Sequence, residues 1–552
     1  DIASSLGYDL LSTGDMHFTD NYVERLQKVT ADQVQAVARK YFDVDRLITT
    51  VLVPEEAVAA TTRPATQAAA ALPKAVDLVR AATPTTRPGS EEVASEIERL
   101  ELDDGTVVLL KRMSASPVVS MQMWSLGGVT AEDKDTNGLG MLAMRLATRG
   151  TKDRTAQEIA EFFDSIGGQI TATSGNNTWS WQAQCLKDDF ARAFEVFVDV
   201  VKNPSFPDSE VAAMKQRLLA AIRAQDADWF GGGYRFFRQT YFGPSKSPYQ
   251  FLPLGRAEVV KEATAEQVRQ WYAKQILPAK RVLAIFGNVD LAQAKKLATG
   301  AFGKEKQSSV TFNSGSGVLR TGEAATKSAV NVARVEVNKT DNPQAAVVVG
   351  FKSDSFAGDP DYEKLIMADT MTSGYGYPTG YIFEILRGRG LVYDANAFVF
   401  VGRNREMRGA FVVYAGCDPK NVNEVVDVIL ENVARLQGTA QEIKEGWFAR
   451  AKELAMTAYA LDNQTAEAQG QTSALDELMG LGYRRYAVFA DQINAVQLSD
   501  VQAVARARLS ECVVTVSTSA PDLVKTKAGV REYEKFPPVD LTPKGVVHDS
   551  SR

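Results

Sequence analysis

The chain has 552 residues, 45% of them apolar and 24% charged, which is the profile of a folded globular protein and not of a disordered one. Sixty-two basic against 68 acidic residues leave a net charge of −6, which argues against nucleic acid as an obligate partner, since phosphate binding needs clustered excess Lys and Arg. No apolar run approaches the ~18 residues of a membrane span, and the length predicts roughly three or four domains.

The chain opens at Asp1 with no initiator Met and no signal-peptide pattern, and so reads as a processed product or a fragment. Along it, one pattern occurs three times: VTADQVQAVARKYFDVDRLITTVLVP (Val29 to Pro54), ATAEQVRQWYAKQILPAKRVLAIFGNVD (Ala263 to Asp290) and QLSDVQAVARARLSECVVTVST (Gln497 to Thr518). Each copy predicts a capped amphipathic helix of two to three turns, a short break and a β-branched strand. Val34, Val268 and Val501 are equivalent and lie 234 and 233 residues apart. A period that long means duplicated domains and not a solenoid, whose repeats span ~20–50 residues. The first copy begins only about 30 residues into the chain. Residues 1–53 are therefore expected to be the tail of a domain whose front lies elsewhere.

Residues 54–95 turn to Ala, Thr and Pro, with TTRP at Thr61–Pro64 and again at Thr85–Pro88, the composition of an extended linker. A mixed domain follows over 96–305. Its strands are expected at Val107–Met113 and Val118–Gly128, and its helices at Leu139–Thr148, Ala156–Ile166, Phe190–Val201 and Ser209–Ala224. Residues 306–328 form a second linker. A further mixed domain over 329–522 repeats the order with AAVVVGFKS, DPDYEKLIMADTMTS, FVVYAG and NEVVDVILENVARL, and a tail runs over 523–552. Strands grouped with helices, without strict βαβ alternation, give an α+β class. Cys185, Cys417 and Cys512 are odd in number and far apart, which predicts inert core thiols and no disulfide framework.

The ordered signals from Leu100 to Thr518 resemble the pitrilysin/insulinase family of inverted zinc peptidases. The resemblance is carried by YQFLPLGRAEVV (Tyr249 to Val260), the second repeat helix, LPAKRVLAIFGNVD (Leu277 to Asp290) and AFG (Ala301 to Gly303). It implies two consecutive homologous α/β-roll domains, each an antiparallel-rich sheet flanked by helices, preceded by the tail of a third. It also implies a carboxyl-terminal half that closes like a clamshell on a zinc-bearing half around a peptide chamber.

The family places H-x-x-E-H on a helix, two His binding zinc and the Glu acting on the attacking water. At the equivalent place this chain reads GLGMLAMRLATRGT (Gly138 to Thr151), in register with the family's trailing Arg149-Gly150-Thr151. The ligand positions fall on Met141 and Arg145 and the base position on Met144, all unsuited to zinc. The helix expected to bring the third ligand has no carboxylate from Arg217 to Arg223, and the whole chain has only His17 and His548. No catalytic metal is therefore expected on this chain; zinc is expected on the partner half, and the chain alone is expected to be inactive.

The resemblance also implies an Arg and a Tyr that reach the bound peptide. They fall in YGYPTGYIFEILRGRGLVYDANAFVF (Tyr375 to Phe400), with Tyr393 as the Tyr and Arg387 as the Arg. Arg389 is the alternative, because the spacing is one residue short of the family's. An Arg can hold a peptide carbonyl, and a Tyr hydroxyl can donate to an oxyanion. A surface ion pair and a core-edge Tyr are the plain structural reading. The preceding SGYGYPTG lacks the Gly-Lys-Ser/Thr of a phosphate loop. The aromatic run WFGGGYRFFRQTYF (Trp229 to Phe242) is expected to pack in a core, lining a chamber being the alternative.

The expected function is the non-catalytic half of a zinc metallopeptidase, with peptide substrates and a zinc-bearing half as partners. A scaffold or assembly subunit, or a peptide-binding protein that adds strands to open sheet edges, is the alternative from a different class. Limited proteolysis is expected to cut first between Ala57 and Gly89, where little apolar surface is available to bury. First cleavage between Leu100 and Val289, mapped by mass spectrometry, would contradict that organisation.

Overall fold

A computed structural model describes residues 2–42, 96–304 and 330–525, apart from 376, 378, 440–442 and 444. Both expected linkers, the strand expected after the first repeat helix, the tail beyond 525 and His548 lie outside the described residues. The chain divides into two units, Asp1–Arg87 and Pro88–Arg552.

The first unit shows three helices, α1 (Ile2–Thr13), α2 (Phe18–Gln27) and α3 (Ala31–Tyr41). The last is the first repeat helix. Thr30 starts it: its hydroxyl accepts from the Gln33 backbone N–H at 3.3 Å, and the Thr30 N–H donates to Gln33 Oε1 at 2.9 Å. This reciprocal capping box satisfies two of the donors that a helix start leaves open.

In the second unit, the first half runs β1 (Glu98–Glu101), β2 (Val107–Arg112), β3 (Val118–Leu126), α4 (Leu139–Ala147), α5 (Ala156–Ser165), β4 (Gln169–Ser174) and β5 (Thr178–Leu186). It continues through α6 (Phe190–Lys202), α7 (Asp208–Ala227), α8 (Trp229–Phe242), α9 (Ala257–Glu262), α10 (Ala265–Trp271), β6 (Arg281–Gly287) and α11 (Leu291–Phe302). The second half runs β7 (Asn331–Lys339), β8 (Ala345–Phe351), α12 (Tyr362–Ser373), α13 (Tyr381–Gly388), β9 (Val392–Phe400) and β10 (Ala410–Cys417). After it come α14 (Val422–Leu436), α15 (Glu445–Asp462), α16 (Ala466–Leu478), α17 (Phe489–Ala495), α18 (Leu498–Arg508) and β11 (Glu511–Thr518).

The two sheets have matching topology. The first has the order β1-β2-β6-β3-β5-β4 and the second β7-β11-β8-β10-β9. In each, one pair is parallel, β2 with β6 and β7 with β11, and the remaining pairs are antiparallel. The repeat strands β6 and β11 occupy the same place in their sheets, so the sequence repeat is a repeat of structure. The class is α+β, as expected.

Both sheets are covered on both faces. Along β2, Val108 and Leu110 turn to a core shared with α4, α6 and α7, while Val107 and Leu109 turn to the opposite side. That second face is covered by α16, from the other half of the unit: Ala474 and Leu478 pack with Val282, Ala284 and Phe286 of β6. The second sheet receives the converse. Val347 and Val349 of β8 face the core shared with α12, α14 and α18, whereas Val348 meets Phe237 and Phe242 of α8. Each half thus lends a helix to the other's sheet. The aromatic run at Trp229–Phe242 packs in a core, as expected. Glycines on both surfaces allow close approach: a Cβ on Gly233 of α8 would lie 2.5 Å from the Ala346 Cβ, and one on Gly350 of β8 would lie 2.5 Å from the Phe237 ring.

Cys185, Cys417 and Cys512 are free and buried. Among the described residues no helix is long and apolar enough to cross a membrane.

The exchange couples the stability of the two halves. Phe237→Ala opens a cavity against the second sheet although it lies in the first half, and it is expected to cost about 3–5 kcal/mol. Urea unfolding of the variant should show one transition with a lowered midpoint for probes in both halves. Loss of structure confined to residues 96–304 would contradict the coupling.

Candidate functional site

Two places carry the residues singled out in the sequence. The first is α4. Gly138 starts this helix with φ 117° and no side-chain cap of its own. The capping acceptor comes from outside the helix: Glu132 accepts from the Gly140 N–H at 2.8 Å, the Gly138 N–H at 3.3 Å and Asn137 Nδ2 at 2.8 Å. Burial pushes the Glu132 carboxyl up to about 7, against the opposing pull of these three hydrogen bonds.

Met141 and Met144 are buried in the core of the first sheet. The Met141 sulfur takes a weak contact of 3.8 Å from the Thr173 hydroxyl of β4. Arg145, one turn beyond Met141, is half-buried. The neighbouring helix α7 buries Leu218 and Ile222 and leaves Arg217 and Arg223 exposed. These groups do not fit zinc, because two core thioethers and a guanidinium offer neither imidazole nor carboxylate. Among the described residues no group of three or more His, Cys, Asp or Glu could hold a metal ion. His17 precedes α2 in the other unit and is exposed.

The second place is the corner where α13 leads into β9. Tyr381, Ile382, Ile385 and Leu386 bury one face of α13, which turns Arg387 to solvent. Gly390, at φ 66°, makes the turn into β9, the edge strand of its sheet. Arg387 Nη1 donates to the Tyr393 carbonyl at 2.7 Å, and its guanidinium lies 5.4 Å from the Phe383 ring centroid. The Tyr393 side chain is 68% exposed. The structure therefore brings Arg387 and Tyr393 to one exposed corner, with Arg387 spending one of its five donors on the backbone. Arg389 turns to α14 instead, with Nη1 3.6 Å from Glu424 Oε1. Chemically, the corner offers a phenol and a guanidinium, both hydrogen-bond donors, beside an open strand edge.

Sequence reasoning did not single out Asp369. Asp369 lies in α12, the helix that stands to the second sheet as α4 stands to the first. It is buried, and burial pushes its carboxyl up to about 7, although the Ser373 hydroxyl donates to Oδ1 at 2.9 Å and pulls the other way. The signal was present as a lone Asp inside the otherwise neutral stretch LIMADTMTS.

The family described as insulinase (peptidase family M16) matches residues 107–232, and the one described as peptidase M16 inactive domain matches residues 262–454. An uncharacterized zinc protease of Streptomyces coelicolor is 25% identical over 383 residues, covering 66% of this chain and 81% of that protein. One from Bacillus subtilis is 21% identical over 416 residues, covering 75% of this chain and 96% of that protein. Subunit 1 of the bovine mitochondrial cytochrome b-c1 complex is 24% identical over 38% of this chain and 42% of its own. Among solved structures, a peptidase M16 inactive domain from Pseudomonas fluorescens superposes with TM-score 0.63 at 16% identity, covering 77% of this chain and 98% of that one. A protease from Helicobacter pylori gives 0.65 at 15% identity, covering 76% and 99%. These structural likenesses concern the fold.

Asp369 generates a pH prediction. Its folded value lies above its unfolded one, so the native state holds the proton more tightly, and stability is lost as pH rises from about 4 through about 7. Asp369→Asn removes that loss. The variant is expected to melt close to wild type at pH 4 and several degrees higher at pH 8. A melting difference that does not change with pH would contradict it.

Proposed function

The chain belongs to the insulinase-type peptidase M16 family, and from that premise we propose that it is a non-catalytic half which closes a peptide chamber over a zinc-bearing half. One observation carries the reading. The helix on which the family resemblance places the zinc motif is folded and capped, but Met141 and Met144 are sealed in its core, while Arg387 and Tyr393 stand exposed beside an open strand edge.

In this reading the chain holds the peptide and does not activate water. Arg387 uses its remaining N–H donors on carbonyl oxygens of an extended peptide, in charge-assisted hydrogen bonds. The Tyr393 hydroxyl donates to the scissile carbonyl oxygen as that oxygen gains negative charge, which helps the transition state more than the bound substrate. The metal and its ligands belong to the partner half. Arg389, engaged with Glu424, is the reserve candidate for the arginine.

A scaffold role is the second reading, favoured by the similarity to subunit 1 of the bovine cytochrome b-c1 complex. Kinetics separate the two. In a reconstituted complex with the zinc-bearing half, Tyr393→Phe is expected to lower kcat by ~10²–10³-fold with zinc content unchanged. Arg387→Ala is expected to act mainly by raising KM. Wild-type kinetics for both variants, in a complex that hydrolyses peptides, would leave this chain as a scaffold only.

A further inference from the structure

The two halves of the larger unit leave a cleft of about 1420 Å³ between them. The first half supplies one wall, the turn that joins β4 to β5 at Asn176–Thr178. The second half supplies the rest: the loop Phe356–Pro360, the start of α12, the end of α16 with the loop after it, and α17. Neither Arg387 nor Tyr393 lines it.

The charges inside this cleft do not cancel. Three carboxylates line it, Asp359, Glu363 and Asp476, and two guanidiniums, Arg484 and Arg485. Asp359 is neutralised from behind by Arg508, and Arg484 pairs with Glu96 at 2.9 Å. Glu363 and Asp476 are left with one guanidinium between them. Arg485 Nη2 lies 2.8 Å from Glu363 Oε1 and its Nη1 3.5 Å from Asp476 Oδ1, and among the described residues neither carboxylate has another side-chain partner. Asp476 is the less well served. It sits in the last turn of α16, where the helix dipole favours a cation, and Lys280 at that end donates to the Leu478 carbonyl instead. Burial pushes the Asp476 carboxyl up to about 6, although Arg485 pulls the other way.

Helix α17 adds an acceptor to the same cleft. Gln492 Oε1 is buried in the wall and has no donor among the described residues. A buried acceptor without a donor costs stability that a donor arriving from outside recovers. Beside these polar groups Leu475, Met479 and Leu481 give the cleft an apolar side. A few polar groups on an apolar wall is the usual make-up of a ligand site. Here they are acceptors in excess, which suits a guest that only donates, as an ammonium or a guanidinium does.

From this we infer that the cleft binds an organic cation, an alkylammonium or alkylguanidinium group whose charge meets Asp476 and Glu363, with Gln492 as a further acceptor and the apolar side taking its stem. Such a group arrives on a free polyamine or on the Lys or Arg side chain of a peptide, and the recognition chemistry is the same. The site uses neither Arg387 nor Tyr393 and is tested on this chain alone, so either reading can fail without the other.

Isothermal titration calorimetry on the full chain tests it, with agmatine, spermidine and the capped tripeptide acetyl-Ala-Arg-Ala-amide as probes. At least one is expected to bind with 1:1 stoichiometry, while glutarate, an anion of similar length, does not. Binding of agmatine or spermidine alone assigns the site to free amines, and binding of the tripeptide alone assigns it to peptide side chains. Asp476→Asn keeps the shape of the side chain and is expected to weaken binding about 10- to 100-fold, the range for losing a hydrogen bond to a charged group. Gln492→Leu is expected to weaken binding while raising the melting temperature of the free chain, because it removes an acceptor that folding leaves unpaired. A residue with a purely structural role would not move the two readouts in opposite directions. No binding by any of the three cations, equal binding of glutarate, or an affinity unchanged by either substitution would overturn the inference.

Discussion

The structure of the larger unit rests on one exchange: α8 of its first half lies on the sheet of the second, and α16 of its second half lies on the sheet of the first. The strands demand it. β8 is buried at every position and β2 at all but its last, so neither sheet has a face that water could solvate. Helices drawn from the same half cover one face only. A sheet apolar on both faces needs a second layer, and here the other half provides it.

Polar contacts fix the register of this exchange. Lys111 Nζ donates to Gln469 Oε1 at 2.7 Å, and Gln122 Nε2 donates to the Glu467 carbonyl at 2.7 Å, both linking the first sheet to α16. Arg99 pairs with Glu477 at 2.8 Å on the same helix. On the other side, Arg238 of α8 is buried, and among the described residues it makes no ion pair. Its Nη1 donates to Asn176 Oδ1 at 2.8 Å, and the guanidinium lies 5.1 Å from the Phe400 ring centroid of β9. Tyr249 completes the seam, donating to Asn177 Oδ1 at 2.6 Å and accepting from the Arg403 N–H at 2.7 Å. A desolvated cation held by dipoles and a ring tolerates little displacement. Phe400 ends the strand that begins beside Tyr393, so the seam and the exposed corner share one element.

What the sequence made legible follows from where the information sits. The three repeat helices were readable because caps and apolar positions are local, and Thr30 and Thr264 cap as their hydroxyls predict. The aromatic run at Trp229–Phe242 was readable as core because so many rings seldom stay in water. Helix α16 was not. Its buried residues include Gly470, Ser473, Ala474 and Asp476, too small or too polar to stand out as an apolar stripe. Gly470 and Ala474 are buried by the first sheet, hundreds of residues earlier in sequence. Strand β9 was hidden in the same way, since VYDANAFVF mixes Asp and Asn into its alternation. At the site, the residue types were legible but their partners were not. That Arg387 reaches the Tyr393 carbonyl while Arg389 turns to Glu424 depends on a turn at Gly390 and on a neighbouring helix.

The contrast between the two places in the candidate site is finally one of constraint. In α4, Met141, Leu142 and Met144 are sealed in the first core, and a buried Glu132 caps the helix from outside. Packing and capping account for every one of those side chains, and no chemistry is needed to explain them. The corner at α13 and β9 is different. Ile385 and Leu386 hold the helix down, yet Tyr393 projects most of its ring into water and makes little core. An exposed phenol on an edge strand gains little from folding, and among the described residues β9 has a partner strand on one side only. Folding alone explains the first place. At the second it leaves a phenol and a guanidinium in solvent on an edge strand, and the proposed contact with an extended peptide rests on that arrangement.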